Sequence, residues 1–499
     1  MGKYLLGLDA GNTVIKAVLF DLKGNQIAVS QENGATLTPQ PGHVERDLNE
    51  LWSQSGVAIR SCLEKAAIDP REIVGIGCAG HGNGLYLLDQ EQKPLLAIQS
   101  LDNRAAAIAK NLDHLVGDRL YDICLQRPWS SQTPTLLAWV KQYKPDLYSK
   151  IGTAFLCKDY VNYKLTDVIS SDKSDMAGCG FLQMPDCSYS DELLEVYGLA
   201  DAKKFLPSLF HSAEIVGQVS AEAAAHTGLF EGTAVIAGAF DVVASALGSG
   251  TVKTGQASVI VGTWSINQVI VEELALDGDI FMCCAFDEKR FLEIESSATS
   301  AVNLEWFVHE LMGSDIDRLK GTNQTVFDLC NELIATVDLV PDLPIFHPYI
   351  YSGATSSTHK GGFYGLCGWQ GRAHMLYSLF EGVAFGHKQH IEKLYRNGID
   401  IKLIILSGGG SRSLIWPQLF ADVLGVEVSV AKAEETGALG SAIAAGVGVG
   451  LLKDYADGVE QMTNLKQIYQ PNTEKAQFYS DRYARFLKIA DAMASVWED

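Results

Sequence analysis

The chain has 499 residues, 47% of them hydrophobic, which is too long for one core and points to two domains of roughly 200 to 250 residues each. With 39 Lys and Arg against 60 Asp and Glu, the net charge of −21 repels nucleic acid and anionic membrane surfaces, so neither is expected as a partner. An anionic substrate would need local help from backbone amides or a cation.

The N-terminal MGKYLLGLDAGN lacks a basic segment followed by a long apolar run with a cleavage site, so no signal peptide is expected. No apolar run reaches the roughly 18 residues that a spanning helix requires. The 10 cysteines show no C-x-x-C spacing. Scattered in this way they suit small buried hydrophobes in a reducing compartment, which predicts a cytoplasmic protein.

Leu5–Phe20, LLGLDAGNTVIKAVLF, reads as a strand, a tight turn (Asp9 to Thr13) and a second strand. Such a hairpin can aim backbone amides and the Asp9 carboxylate at one spot, as a metal-bound polyphosphate requires, although a plain hairpin would look the same. A weaker copy follows at Ala257–Val271, ASVIVGTWSINQVIV, with Gly262 and Thr263 at its turn. The repeat suggests two like-folded domains binding a nucleotide, divided as 1–247 and 248–499.

Between the hairpins, Asp47 caps a helix expected from about Leu48 to Ala67, with Glu45 and Arg46 as a solvated or cap-side pair. Ile73–Leu88 is a buried strand broken by Gly80-His81-Gly82-Asn83-Gly84. Its glycines allow close approach to a ligand and His81 and Asn83 offer donors to hydroxyls, while a glycine-rich bulge is the alternative. Asp102 opens a further helix as its cap. Trp129 sits in a loop where a sugar could lie against its ring, although core packing is the commoner use of Trp. Ser171–Gly180 reads as a polar loop. The strand Thr233–Gly238 leads to Asp241 at the start of a small-residue helix, the crevice edge where α/β proteins bind ligands, but from the local sequence alone an N-cap is the preferred reading. Gly248 and Gly250 suit a hinge.

In the second half, Tyr349–Gly365 holds a long Gly/Ser/Thr loop and Arg372–Tyr395 a long helix. Ile401–Gly410, IKLIILSGGG, is a strand running into three glycines, with a helix expected from Ser411 to Leu424, a seat for a phosphate or adenosine. Glu434–Ala442 opens a helix of small residues, and Tyr479, Tyr483, Phe486, Ala490 and Met493 form one stripe of a docking helix.

Taken together, GLDAGNTVIKA, PGHVERDLNELW, GIGCAGHGNGLYLLD, SLDNRA, KDYVNYKLT, AGAFDVV, VGTWS, NLEWF, GGFYGL, LSGGGSRS and EETGALGSAIAA resemble, in order and spacing, the FGGY family of carbohydrate kinases over essentially the whole chain. The resemblance implies two α/β domains of the actin-like (ribonuclease H-like) ATPase fold facing each other across a nucleotide cleft. ATP and Mg²⁺ are the implied cofactors and a small ketose or polyol the implied substrate. L-xylulose or 3-keto-L-gulonate comes first, with D-xylulose, D-ribulose, erythritol and glycerol as alternatives.

Asp9 corresponds to the acidic residue near the metal. Gly11, Asn12, Thr13 and Lys16 fall in the first phosphate hairpin, Gly262 and Thr263 in the second, and Gly408, Gly409, Gly410 and Ser411 in the adenosine loop. Asp241 matches the catalytic base, with an ordinary carboxylate pKa of about 4 expected; it and His81, Gly82, Asn83 and Trp129 would hold the sugar. Relatives are often dimers, so a homodimer is implied. Asn12 stands where the family usually has Thr, and His81-Gly82-Asn83-Gly84 replaces the Met-His pair of D-xylulose kinases and the Arg-Glu pair of glycerol kinases. A nucleotide switch of the actin or Hsp70 kind, without sugar chemistry, is the alternative of another class.

Overall fold

The structure, a computed structural model, describes residues 3–276, 279–351, 358–396 and 398–497. The strand Tyr4–Ala10 pairs antiparallel with Val14–Asp21, which pairs antiparallel with Gln26–Asn33. On its other side Tyr4–Ala10 runs parallel to Ile73–Gly80, and that strand runs parallel to Ala234–Ile236, with Ile215–Gln218 closing the edge antiparallel. Leu5, Leu6, Leu8, Val18 and Leu19 are all buried. That is why this run is continuously apolar rather than alternating: both faces of the sheet are covered.

The second hairpin repeats this plan. Gln256–Val261 is antiparallel to Ser265–Val271 and parallel to Leu403–Ser407, which is parallel to Glu427–Ala431; Leu465–Tyr469 closes the edge antiparallel. Beyond Ser265–Val271 the sheet continues through Phe291–Ser297 to Met282–Ala285. From the edge strand closing each sheet to the second strand of each hairpin, strand order and direction agree between the two sheets.

Two compact units result, neither continuous in sequence. One comprises Met1–Lys253, Ile270–Glu293 and Glu435–Asn464, the other Thr254–Val269, Ile294–Glu434 and Leu465–Asp499. The helix Asp241–Ser249 runs through the division expected at 247/248.

Within the first unit the helix Thr436–Gly448 packs on the helix Asp241–Ser249 and on the strands Tyr4–Ala10 and Ile73–Gly80. A Cβ added at Gly440 would lie 1.9 Å from Ala244 O, at Gly248 1.9 Å from Thr436 O, at Gly7 2.0 Å from Ala438 O and at Gly77 2.2 Å from Ser441 O. Backbone therefore rests on backbone at four points. Gly248, expected as a hinge, is glycine because the Thr436 carbonyl occupies the place of its side chain. Gly250 ends the helix with φ +99°.

Several local expectations change. Ser171–Gly180 is not a loop: the strand Ser170–Asp172 leads into the helix Lys173–Gly178, and the Asp172 carboxylate caps it by accepting from Ser174 N at 2.8 Å. The helix after the triple glycine starts at Trp416 rather than Ser411. Gly409–Arg412 is a tight 3-10 turn, Ser413 Oγ accepts from Ile415 N and Trp416 N, and Pro417 takes the first turn, where its missing N–H costs nothing. Asp102 caps no helix; it accepts from Val44 N and from Arg104. The loop expected over Tyr349–Gly365 falls partly outside the described residues. Asp47 does cap Leu48–Ala66, accepting from Asn49 N and Glu50 N.

In the second unit the C-terminal helix Ala476–Trp497 buries Tyr479, Tyr483, Phe486 and Ala490. Arg482, also buried, forms a bidentate pair with Glu381 at 2.6 and 2.5 Å and donates to Leu343 O and Pro344 O. Docking of this helix thus rests on a satisfied charge as well as on apolar area.

Gly440→Ala tests the four-point contact by its sign. In an exposed helix this change stabilises by about 1 kcal/mol. Here it should lower stability by about 2 kcal/mol or more, because the new Cβ meets a carbonyl fixed in another helix, and a falling urea midpoint would register it.

Candidate functional site

Asp9 pairs across the first hairpin with Lys16 and, on the parallel side, with Ala79. Ala79 in turn pairs with Ala239 on the short strand Ala239–Phe240, two residues before Asp241. With strands about 4.8 Å apart, this register brings Asp9 and Asp241 to the same carboxyl end of the sheet. Phe240 takes the cap position of the following helix and Asp241 is its first helical residue, so the N-cap expected at Asp241 lies one residue earlier. The start of the helix Thr436–Gly448 completes the surroundings. A Cβ at Gly437 would lie 3.1 Å from Asp9 Oδ2 and 3.5 Å from Ser245 Oγ, and Lys16 Nζ lies 2.7 Å from Glu435 Oε2.

The electrostatics depart from the ordinary carboxylate expected. Burial raises the Asp9 pKa to about 6, with Glu435 adding to the rise and Lys16 opposing it. Burial raises Asp241 to about 8; the negative charge of Asp9 adds to this, and the Val242 N–H opposes it. Two half-buried acids thus share one place with little positive charge to balance them.

The first hairpin turn is held from behind. Arg46 Nη1 donates to Gly11 O at 3.1 Å and Nη2 to Asn12 O at 2.9 Å, while Gln99 Nε2 donates to Asn12 O at 2.8 Å. Arg46 is only 3% exposed, so the solvated pair expected with Glu45 is not formed; Glu45 instead binds Arg104 at 2.7 Å. With its carbonyls engaged in this way, the turn leaves Thr13 exposed at its tip. Asn12 Nδ2 donates to Ser100 Oγ at 2.9 Å.

Gly82, between His81 and Asn83, lies against the residue before Asp241. A Cβ on Gly82 would fall 2.3 Å from the Phe240 ring, and one on Gly178 2.8 Å from it, so the ring is clasped between two glycines. His81 is buried, with Nε2 2.8 Å from Tyr86 Oη and Nδ1 3.3 Å from Gly82 O; burial and the nearby Arg46 charge lower its pKa to about 3. It is therefore neutral and bonded within the protein. Asn83 has φ +61° and a buried Oδ1 without a hydrogen-bond partner among the described residues. Trp129 is half-buried, its ring centroid 6.4 Å from that of Phe281, and it is not drawn into this cluster by any hydrogen bond among the described residues.

In the second unit, Gly262 and Thr263 form the hairpin turn, with Gly262 N donating to Trp264 O at 3.3 Å. A Cβ at Gly408 would stand 3.0 Å from Val261 O, and one at Gly410 2.4 Å from Val261 Cγ1, so the triple glycine lies directly on the hairpin. Gly408 has φ +80°, and Ser411 Oγ donates to its carbonyl at 2.8 Å. The hairpin is anchored below by His387, whose Nδ1 lies 3.1 Å from Ser265 Oγ and 2.8 Å from Asn267 Oδ1. Gly262, Thr263, Gly408, Gly409, Gly410 and Ser411 thus form one group.

Among the described residues, no three His, Cys, Asp or Glu side chains form a ready-made metal cage. A magnesium ion carried by polyphosphate needs less: one or two carboxylates, with the rest supplied by phosphate and water. Asp9, a hard oxygen donor in a place of excess negative charge, fits that role. Sequence reasoning missed Arg46, which it read as solvated, and the acids and serines of 171–175, which it read as loop. A buried partner cannot be recognised before the fold brings it in.

Residues 4–248 match the N-terminal domain of the FGGY family of carbohydrate kinases, and residues 257–449 match its C-terminal domain. The chain is 32% identical to the L-xylulose/3-keto-L-gulonate kinase of Escherichia coli (strain K12), over 99% of this chain and 98% of that protein. It is 29% identical to an autoinducer-2 kinase of Enterobacter sp. (strain 638), over 99% and 97%. Among solved structures, xylulose kinase from Rhodospirillum rubrum superposes with a TM-score of 0.90 at 23% identity, covering 100% of both chains. On the match of both domains and the full-length relatives, the chain belongs to the FGGY family of carbohydrate kinases and is an ATP-dependent sugar kinase.

Proposed function

We propose that this kinase transfers the γ-phosphoryl group of ATP to a hydroxyl of a small ketose, with L-xylulose or 3-keto-L-gulonate as the first candidates. The observation that carries the proposal is the pairing of Asp241 with Asp9 at one sheet end, each with raised proton affinity. The full-length relative of 32% identity supports the pentulose over a polyol. The protein acts in the cytoplasm as a homodimer. No helix among the described residues is long and apolar enough to cross a membrane.

Phosphoryl transfer needs positioning and charge neutralisation more than covalent chemistry. In each unit the hairpin turn offers amides to phosphate, those of Asn12 and Thr13 in the first, with Lys16 beside it, and that of Thr263 in the second, while the Gly11 and Gly262 amides close the turns on Val14 O and Trp264 O. Gly408, Gly409, Gly410 and Ser411 hold the adenosine side. Asp9 holds Mg²⁺, which when bound neutralises phosphate charge. Asn83 offers its unpartnered Oδ1 to a sugar hydroxyl, the loop of His81 and Gly82 shapes that wall, and Trp129 gives a flat face for the carbon skeleton. Asp241 accepts the proton of the attacking hydroxyl as its bond to phosphorus forms. A base whose proton affinity is raised by burial accepts more readily than an ordinary aspartate, provided it has been ionised first.

A coupled assay over ketoses and polyols, with product analysis, tests the substrate; slow ATP hydrolysis indifferent to every sugar would favour the nucleotide switch instead. Asp241→Asn should keep ATP and sugar binding and lose at least about a hundredfold in turnover, and near-normal turnover would remove Asp241 from the role. Because only ionised Asp241 can accept the proton, kcat/KM should rise with pH through a limb above the ordinary carboxylate range and no higher than about 8, and Asp241→Asn should abolish that limb.

Stability gives an independent reading. Both acids bind protons more tightly in the folded chain than in the unfolded one, where the ordinary value is 3.8, so their contribution to stability falls as pH rises from there to about 8. Magnesium at pH 8 should recover part of the loss as a rise in Tm. Asp9→Asn should abolish that rise.

A further inference from the structure

Behind Asp241 lies a buried cluster that the transfer step does not use. Lys158 is fully buried, with its Nζ 2.5 Å from Asp159 Oδ1, 2.8 Å from Asp172 Oδ1 and 3.6 Å from Asp175 Oδ2. The other oxygen of Asp172 accepts three hydrogen bonds: from Ser174 N at 2.8 Å, Ser174 Oγ at 2.5 Å and Ser212 Oγ at 2.8 Å. With its proton given to Asp172, Ser174 Oγ has lone pairs to accept, and it accepts from Phe240 N at 3.0 Å. Lys158, Asp172, Ser174 and the Phe240 peptide thus form one continuous chain, all of it buried and all within one unit.

The position of Phe240 gives this chain its meaning. Its amide is the last backbone donor before Asp241, and its ring is clasped by Gly82 and Gly178. The strand Ala239–Phe240 is only two residues long and pairs with Ile73–Gly80 at Ala79 and Gly80 alone. So short a ladder fixes direction weakly, and a charge-backed hydroxyl at its end supplies what the ladder lacks. Resting on the kinase reading above, we propose that Ser174 is a positioning residue for Asp241, its hydroxyl oriented by Asp172 and Lys158 so that the Phe240 peptide, and with it the base, is held in one place.

Ser174 touches neither reactant, so its loss should act on turnover and on the base, not on nucleotide binding. Ser174→Ala should lower kcat about tenfold or more, as expected for a base allowed to wander by a fraction of an ångström. The KM for ATP should stay within about twofold, and the acid limb of kcat/KM should move. Ser174→Thr, which restores the hydroxyl, should recover most of the turnover. Hydrogen exchange on the wild-type protein should show the Phe240 amide protected, and Ser174→Ala should remove that protection.

A folded Ser174→Ala protein with wild-type kcat and pH profile would overturn the proposal. So would a fast-exchanging Phe240 amide in the wild type, which serves as the test even if the variants do not fold. If the wild type phosphorylates no sugar while the Phe240 amide remains protected in a Ser174-dependent way, the kinase reading fails and the positioning contact stands.

Discussion

The approach of the helix Thr436–Gly448 to the helix Asp241–Ser249 and the two central strands is the constraint on which the first unit depends. Four glycines remove the side chains that would otherwise separate these elements, and carbonyl oxygens fill the vacated places. That contact sets Gly437 beside Asp9 and Glu435 within reach of Lys16. It also explains why a segment nearly two hundred residues beyond Asp241 belongs to the same compact unit.

Buried charge gathers in two neighbouring places. Around Lys158, three aspartates surround one ammonium; the second oxygen of Asp172 accepts from Ser174 and Ser212, while burial raises the proton affinity of Asp159 and Asp175. Around Asp9 and Asp241 burial likewise raises proton affinity, with Lys16 opposing the rise at Asp9. The first cluster reaches the second through Ser174 and the Phe240 peptide.

The two sheets share one plan, yet their turns are braced differently. The first hairpin is held by Arg46 bonding the carbonyls of its turn. The second is held by His387 under its second strand and by the triple glycine lying on Val261. The same topology is thus braced twice by residues that differ completely.

The hairpins, the strand that ends in three glycines, the Asp47-capped helix and the C-terminal stripe were legible in the sequence, because each is written in local periodicity, turn residues or a cap. The division of labour among polar residues was not. Arg46 and Glu45 looked like neighbours on a solvated turn, Gly248 looked like a hinge, Asp102 like a cap and residues 171–180 like a loop. Each depended on a partner far away in the chain: the Gly11 carbonyl, the Thr436 carbonyl, the Val44 amide and the Lys158 ammonium. The sequence by itself determined the two hairpins, the long helices and the repeat of one plan in two domains, since apolar spacing and glycine punctuation act within a few residues. Only the tertiary structure decided which acids are paired and which hold a proton more tightly, because proton affinity follows from burial and from neighbours brought together by folding.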